Sequence, residues 1–489
     1  MNNTYDVVII GGGVVGSSIA RELSKYKLRT CVLEKELDVC LETSGRNSGV
    51  LHAGFNNKVG SLMAKFCVEG NQNFDEVAKE LDIPFKRTGK LVVGFTEEDK
   101  EKLIKMKEQG EANGVVGLEI INNEKIKKLS PFIEGNFALY SPSTGILNPF
   151  IYTIAMAENA VQNGVNYFLD NEVLEVRMDL NKDENIYEIK TNKGIYKSRW
   201  IINSAGLNSD KVGKMLGIEE YTIYPCRGEY FILDQKLGQF LNMPAYPVPN
   251  PKEGGLGIHL TPSIDGNVFI GPSSEYIDEK DDYSVTKNVM DLLIKDGGRI
   301  FPHIKKEHFI RNFSGIRPKL VGKDQGGYDD FKIELREDVP NVINLVGIES
   351  PGLTSAVPIA KYVVSLLSQK ETLKENPHFN KYRKGIISFK DQPLEIKRKL
   401  IEEDENYGEV ICRCETITKA EILAAINNPL GVETVTGIKY RTRAMMGRCQ
   451  GGYCQTRITK LIKEEKDKKE EEILYSRKNS NMFVGKVRG

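Results

Sequence analysis

The chain has 489 residues, 40% of them hydrophobic and 28% charged, with 68 basic and 68 acidic side chains. It is too long for one core, so two or three domains are expected. With the charges balanced, nothing global points to nucleic acid or an anionic membrane, and no apolar run reaches the length of a membrane span.

From the N-terminus, Met1 to Asp6 carries no basic segment leading into an apolar stretch, so no signal peptide is expected. Tyr5 to Ile10 is a short apolar run that reads as a strand. Gly11-Gly-Gly13-Val-Val-Gly16 follows, and the spacing of Ile19, Ala20 and Leu23 predicts a helix from Ser17 to Tyr26. Arg29 to Leu33 reads as a second strand, ended by Glu34. The three elements make a β-α-β unit. Gly11 permits a tight turn, Gly13 lets the backbone approach a pyrophosphate, and Gly16 allows close helix-strand packing. The helix N-terminus favours an anion. Glu34 is placed to accept both ribose hydroxyls, which suits a ribose without a 2′-phosphate. A dinucleotide site is expected, with spacing alone leaving FAD and NAD open.

Thr96 caps a charged helix that stops near Asn113-Gly114. Asn148-Pro149 opens another, which closes at Asn163-Gly164. Trp200 to Ser204 is a short strand ending in Ala205-Gly206. Alternation from about Tyr221 to Gly271 predicts antiparallel sheet. Val342 to Val346 reads as a buried strand running into Gly347, and Thr354 to Leu367 as a helix. From Ser368 to about Asp404 the chain is charged and lacks strand signals. A compact module follows from about Tyr407 to Lys463, with a capping box at Thr418-x-x-Glu421. The mixed-charge run Lys463–Glu472 reads as a solvated helix end.

That module holds Cys412-x-Cys414, then 34 residues, then Cys449-x4-Cys454. Thiolates are soft ligands that suit zinc or an iron–sulfur cluster. A zinc ribbon usually spaces its pairs as C-x2-C, so zinc fits less well. The eight cysteines and the lack of an export signal suit a reducing cytoplasm, where such clusters favour metal over disulfide. Cys31, Cys40, Cys67 and Cys226 stand singly and read as ordinary small residues.

Thr43-Ser-Gly-Arg-Asn-Ser-Gly-Val-Leu-His-Ala-Gly54 closely resembles the flavin-wrapping segment of the D-amino-acid-oxidase-like superfamily. The resemblance is to the branch that holds L-2-hydroxyglutarate oxidases and glycerol-3-phosphate dehydrogenases. Asn203 to Asp210, Gly257 to Gly266, Gly271-Pro272, Phe313 to Lys319 and Gly347 to Ala356 resemble further segments of that family in order. Residues 411–457 resemble bacterioferritin-associated-ferredoxin-like [2Fe–2S] domains, above all from Arg441 to Cys454. The pair of modules resembles the catalytic subunit of anaerobic glycerol-3-phosphate dehydrogenases.

These resemblances imply FAD and a [2Fe–2S] cluster as cofactors. They imply an α/β fold: a Rossmann-like FAD domain, an antiparallel-sheet substrate domain and a small helical C-terminal cluster domain. The expected division puts 1–75, 140–215 and 335–370 in the FAD domain and 76–139 with 216–334 in the substrate domain. A linker at 371–404, a cluster domain at 405–465 and a charged tail at 466–489 follow. Residues implied to contact the dinucleotide are Gly11, Gly13, Gly16, Glu34, Thr43, Ser44, Asn47, Ser48, Ala205, Gly206, Gly347, Gly352, Leu353 and Thr354. Cys412, Cys414, Cys449 and Cys454 would hold the cluster.

Oxidation of a C–H bond beside a hydroxyl or amine needs a base, and an acidic substrate needs a cation. The chain has five histidines. His52 lies in the flavin-wrapping segment and is the leading base; His259, on the presumed substrate hairpin, is the second. Arg317 is expected to grip a phosphate or carboxylate, with Lys319 a weaker second cation and Arg227 either lining the cavity or lying on a strand surface. His303, His308 and His378 read as surface residues. The implied reaction is oxidation of sn-glycerol 3-phosphate to dihydroxyacetone phosphate, with hydride passing to flavin N5. Electrons would leave through the cluster to an accepting protein subunit, through which a cytoplasmic enzyme could sit at a membrane. A 2-hydroxy acid such as L-2-hydroxyglutarate, an amine or amino acid, and a purely electron-transferring subunit stand as alternatives.

Overall fold

The computed structural model describes residues 3–179, 186–249 and 257–485. Residues 250–256 of the expected antiparallel stretch and 486–489 of the expected tail lie outside the described residues.

The strand Thr4–Ile10 sits at the centre of the first sheet. It pairs in parallel with Thr30–Leu33 on one side and Ile195–Asn203 on the other. Asn166–Phe168 and Val342–Val346 extend the parallel sheet outward. Lys332–Leu335 adds an antiparallel edge, and Val173–Asp179 with Ile186–Thr191 forms an antiparallel meander. Alternation along the central strand feeds two cores. Val7 and Ile9 pack with Ile19, Leu23, Ile359 and Val363, whereas Val8 and Ile10 pack with Leu33, Ile201 and Val342. Each such aliphatic side chain contributes about 1.5–3 kcal/mol on burial. The first helix spans Val14–Leu23, starting three residues earlier than its apolar spacing suggests. Gly13 is extended and acts as N-cap, so only the three-residue turn Gly11-Gly12-Gly13 separates strand from helix.

The second sheet is built on Tyr224–Leu233, which pairs antiparallel with Phe309–Lys319 along nearly its whole length. Val268–Gly271, His259–Pro262, Ala245–Pro247, Lys90–Gly94, Phe137–Ser141 and Glu119–Asn122 follow outward. One pairing departs from the expected antiparallel pattern: Ala245–Pro247 runs parallel to Lys90–Gly94. These two strands come from separate stretches of chain, so no hairpin dictates their relative direction. The helix Lys287–Ile300 covers this sheet, burying Leu293 and Ile300 against Leu260, Ile270 and Phe301.

Beyond Ser368 the chain runs back along the first domain. The Asn159 side chain donates to the carbonyl of Asn380 at 3.1 Å, and Arg383 pairs with Glu158 at 2.6 Å. The C-terminal module has a small hairpin, Val410–Cys412 with Ile417–Thr418, and three helices, Lys419–Ile426, Val435–Thr442 and Gln455–Lys466. Thr418 and Glu421 form the capping box of the first of these. Ile422, Ile438, Ile458 and Ile462 fill its core. The last helix stops at Asp467, in the left-handed region, and the chain then folds back, burying Ile473 in the same core. The module rests on both larger domains. Arg441 pairs with Asp38, and Tyr440 stacks on Phe150 at 4.1 Å between ring centres. Arg443 reaches Asp265 and Asn267, and Arg448 reaches Asp234. Among the described residues no helix is long and apolar enough to cross a membrane.

Candidate functional site

A cavity of about 780 Å³ runs from the C-terminal edge of the parallel sheet to the face of the second sheet. One end is lined by Gly11, Gly13, Glu34, Thr43, Ser44, Ala205 and Gly206. Gly11 has φ +106°, and a Cβ there would lie 2.6 Å from the Ser204 carbonyl. Any side chain at Gly16 would collide with the Gly11 carbonyl, so the helix can lie this close only with glycine. Glu34 is buried and accepts from the N–H groups of Gly12 at 2.6 Å and Glu36 at 2.9 Å. Burial pushes its carboxyl up to about 7 against the pull of those two donors. Hydroxyl donors from a ribose would suit such an acceptor. Thr43 and Ser44 open a short helical turn, where Ser44 Oγ accepts from the Val14 N–H at 2.9 Å.

The wrapping segment is tied across to the second domain. Thr43 Oγ1 donates to the Ile316 carbonyl at 2.9 Å, and Arg46 donates to the Ser314 carbonyl at 3.2 Å. Asn47 braces the turn by donating to the Ser44 carbonyl at 2.7 Å. These bonds bring His52 and Arg317 to one space. Ser48, His52, His259 and Arg317 all line it, with Tyr230, Tyr246 and Tyr328. Gly352 and Leu353, at the N-terminus of the helix Gly352–Ser368, close its floor. Thr354, buried in the next position, accepts from the His52 N–H at 3.0 Å. Gly347 has φ +71° and abuts Leu320, but it does not line the cavity.

Burial lowers the His52 imidazole to about 3, and the nearby Lys90 ammonium acts in the same direction. His259 is also held well below the usual histidine range by burial. Its Nδ1 bonds the Gly257 carbonyl at 2.9 Å, and among the described residues its Nε2 has no hydrogen-bond partner. A carbonyl can only accept, so Nδ1 carries the hydrogen and Nε2 keeps a free lone pair. Arg317 spends one nitrogen on the Ser273 carbonyl at 2.6 Å. Arg227 does not line the cavity. It is buried among Asp282, Glu275 and Glu229. His303 and His378 are exposed, and His308 is half-buried on a short turn.

Two features escaped sequence reasoning. Tyr246 stacks on His259 with ring centres 3.6 Å apart, and Lys90 Nζ lies 3.4 Å from the centre of the same ring. Two groups that close cannot share one face, so the phenol is sandwiched between them. Lys90 is fully buried, without a hydrogen-bond partner among the described residues, and burial lowers its ammonium to about 7. Lys319 is also buried and pairs with Glu349 at 3.3 Å, so it is not a free second cation. The local signal for Lys90 was a charged residue inside a strand-like run, and Tyr246 gave none.

In the C-terminal module the four cysteines form two pairs. Cys412 and Cys454 are buried and hydrogen-bonded to each other; Cys414 and Cys449 are exposed and in the same relation. Among the described residues, no three His, Cys, Asp or Glu side chains are placed around one metal ion. A closed zinc site needs all four donors round one ion, whereas a [2Fe–2S] cluster takes four thiolates shared between two irons. The two-plus-two arrangement fits the latter. The Cys454 contact lowers the Cys412 thiol to about 6, helped by N–H groups of Met445 and Glu415.

Residues 6–366 match the family model described as FAD dependent oxidoreductase. The chain belongs to that family. Residues 410–464 of this oxidoreductase match a BFD-like [2Fe–2S] binding domain. FAD and a [2Fe–2S] cluster are its cofactors. It is 40% identical to a glycerol 3-phosphate dehydrogenase of Caloramator mitchellensis, over 98% of each chain. It is 30% identical to a mitochondrial L-2-hydroxyglutarate dehydrogenase of Nematostella vectensis, covering 76% of this chain and 91% of that one. The dithionite-reduced, FAD-bound L-alpha-glycerophosphate oxidase of Mycoplasma pneumoniae superposes with a TM-score of 0.72 at 28% identity. That superposition covers 78% of the oxidoreductase and 98% of the Mycoplasma chain.

Proposed function

We propose that the oxidoreductase is a dehydrogenase that converts sn-glycerol 3-phosphate to dihydroxyacetone phosphate. The observation that carries this reading is the convergence of His52, His259 and Arg317 on one cavity. The 40% identity to a glycerol 3-phosphate dehydrogenase, which spans both modules, supports it. FAD supplies the acceptor for two electrons and the hydrogen from the substrate carbon. Gly11, Gly13, Glu34, Ser44, Ala205 and Gly206 would hold its nucleotide half, and Ser48, Gly352 and Leu353 its ring end.

The chain's own residues do the rest. Arg317 presents its guanidinium fork to the phosphate, oriented by the bond to the Ser273 carbonyl. The burial of His52 and His259 keeps both neutral at physiological pH, so each has a lone pair available. His52 takes the hydroxyl proton, with His259 Nε2, on the same cavity, as the second acceptor. Cys412, Cys414, Cys449 and Cys454 would hold the cluster, through which electrons leave singly to a protein partner. A cytoplasmic location, with any membrane contact made through that partner, accompanies this reading.

A 2-hydroxy acid is the second reading. Its support is the 30% identity to an L-2-hydroxyglutarate dehydrogenase, and an arginine fork accepts carboxylate as readily as phosphate. Anaerobic titration of the purified protein decides between them. Bleaching of the flavin band by glycerol 3-phosphate alone is expected. Bleaching by L-2-hydroxyglutarate alone would transfer the substrate assignment, and bleaching by neither would defeat both.

A further inference from the structure

The two thiol pairs differ in where they face. Cys412 and Cys454 are buried toward the module's core, whereas Cys414 and Cys449 are exposed. The module therefore has an inner and an outer edge. Tyr453, 39% exposed, sits at the outer edge, and its N–H donates to Cys449 Sγ. Arg413 lies 4.4 Å and Arg457 5.4 Å from its ring centre. Arg311, from the second sheet, joins the same rim by donating to Gln450 Oε1 at 3.2 Å.

All three arginines are exposed, and none forms an ion pair among the described residues. The neighbouring Arg448, by contrast, is neutralised by Asp234 at 2.8 Å. In a chain with 68 basic and 68 acidic residues, three unpaired arginines round one exposed edge are a local excess. Arginine and tyrosine are the residue types that anchor protein interfaces, and an unpaired cationic rim favours an anionic surface.

We infer that this outer edge is the docking site for an acidic one-electron carrier protein. The inference rests on the proposed exit of electrons through the cluster. It adds where the partner sits and which charge it carries. The carrier's acidic face would engage Arg311, Arg413 and Arg457, and its redox centre would come to lie against the exposed Cys414–Cys449 pair. Each encounter moves one electron: the module is oxidised by one and the carrier reduced by one, and no proton or bond is exchanged.

The test uses the holoenzyme and two haem proteins of opposite charge, acidic cytochrome b5 and basic cytochrome c. Binding is measured by calorimetry, and electron transfer by stopped flow from protein pre-reduced with dithionite. Cytochrome b5 is expected to bind and be reduced, with affinity and rate falling at least about tenfold between ~0.02 M and ~0.5 M salt. The triple variant R311E/R413E/R457E should lose at least about tenfold in both, while cluster absorbance and flavin bleaching stay at wild-type levels. The milder triple glutamine variant should fall between, which guards against a folding defect in the first.

Equal binding of both cytochromes, salt-insensitive binding, or an unchanged triple variant would overturn the inference. So would binding of cytochrome b5 without its reduction, or arginine-dependent binding to phosphatidylserine vesicles in place of cytochrome b5. Failure of glycerol 3-phosphate to bleach the flavin, with these results otherwise as expected, would defeat the proposed substrate and leave the docking site standing.

Discussion

Asp38 and Arg441 join the FAD domain to the cluster module. Arg441 Nη1 and Nη2 donate to the two carboxylate oxygens of Asp38 at 2.6 and 3.0 Å, and the side chains are 2% and 0% exposed. Replacing Asp38 by alanine leaves a guanidinium buried in a space it cannot leave. Removing one partner of a buried pair costs about 3–5 kcal/mol. Here Glu158 lies 3.7 Å from Arg441 Nε and the Gly437 carbonyl accepts at 3.1 Å, so the low end applies. About 3 kcal/mol corresponds to a loss of roughly a hundredfold in the equilibrium that holds the module closed. Hydrogen exchange over the helix Val435–Thr442 reads that equilibrium directly, and urea unfolding followed by cluster absorbance gives a second measure. Asp38→Ala should speed exchange by that factor, and Asp38→Ala/Arg441→Met should recover most of it, because the stranded charge is gone. A change below about 1 kcal/mol, or a double variant worse than either single one, would show that the pair is not an energetic tie.

Other outcomes follow from the site. His52→Gln should retain flavin absorbance but slow its bleaching by substrate about 10²–10⁴-fold; an unchanged rate would remove His52 from the chemistry. Because burial lowers the wild-type His52 to about 3, kcat/KM should show no acidic limb from this group above about pH 5. Arg317→Lys should raise KM about 10–100-fold through loss of the fork, with the bleaching maximum preserved. Lys90 is predicted to shape the pH dependence of stability. Its folded value of about 7 lies below the unfolded value near 10.4. Between those two the unfolded chain binds the proton and the folded chain does not, so stability rises with pH across that window. Below about 7 both states are protonated and the full penalty remains. Lys90→Met should therefore raise stability at neutral pH by ~2–4 kcal/mol and flatten this rise, as read from Tm at several pH values. Parallel curves for the two proteins would refute it.

What could be read in the sequence was local. The glycine turn at Gly11 depends on its neighbours in the chain, and the four cysteines announce themselves by type and spacing. His52 and Arg317 were reachable because each sits in a recognisable segment. Lys90 was not, because nothing in Gly-Lys-Leu-Val-Val-Gly shows that a strand some 150 residues away pairs alongside it and buries it. Tyr246 lies on that same three-residue strand, too short for any periodicity. The role of Arg227 was equally hidden, since its partners Glu275, opposite it on the neighbouring strand, and Asp282, in the loop beyond, lie about 50 positions further along the chain. Asp38 and Arg441 are 403 positions apart and become partners only once the module has docked.

The module's footprint has a mechanical consequence. It grips the first domain through Asp38 and Phe150 and the second through Asp234, Asp265 and Asn267. A clamshell motion of those two domains would have to tear one set of these contacts. With the halves bridged from outside, the width of the cavity between them is set by a module that itself contributes no residue to its lining.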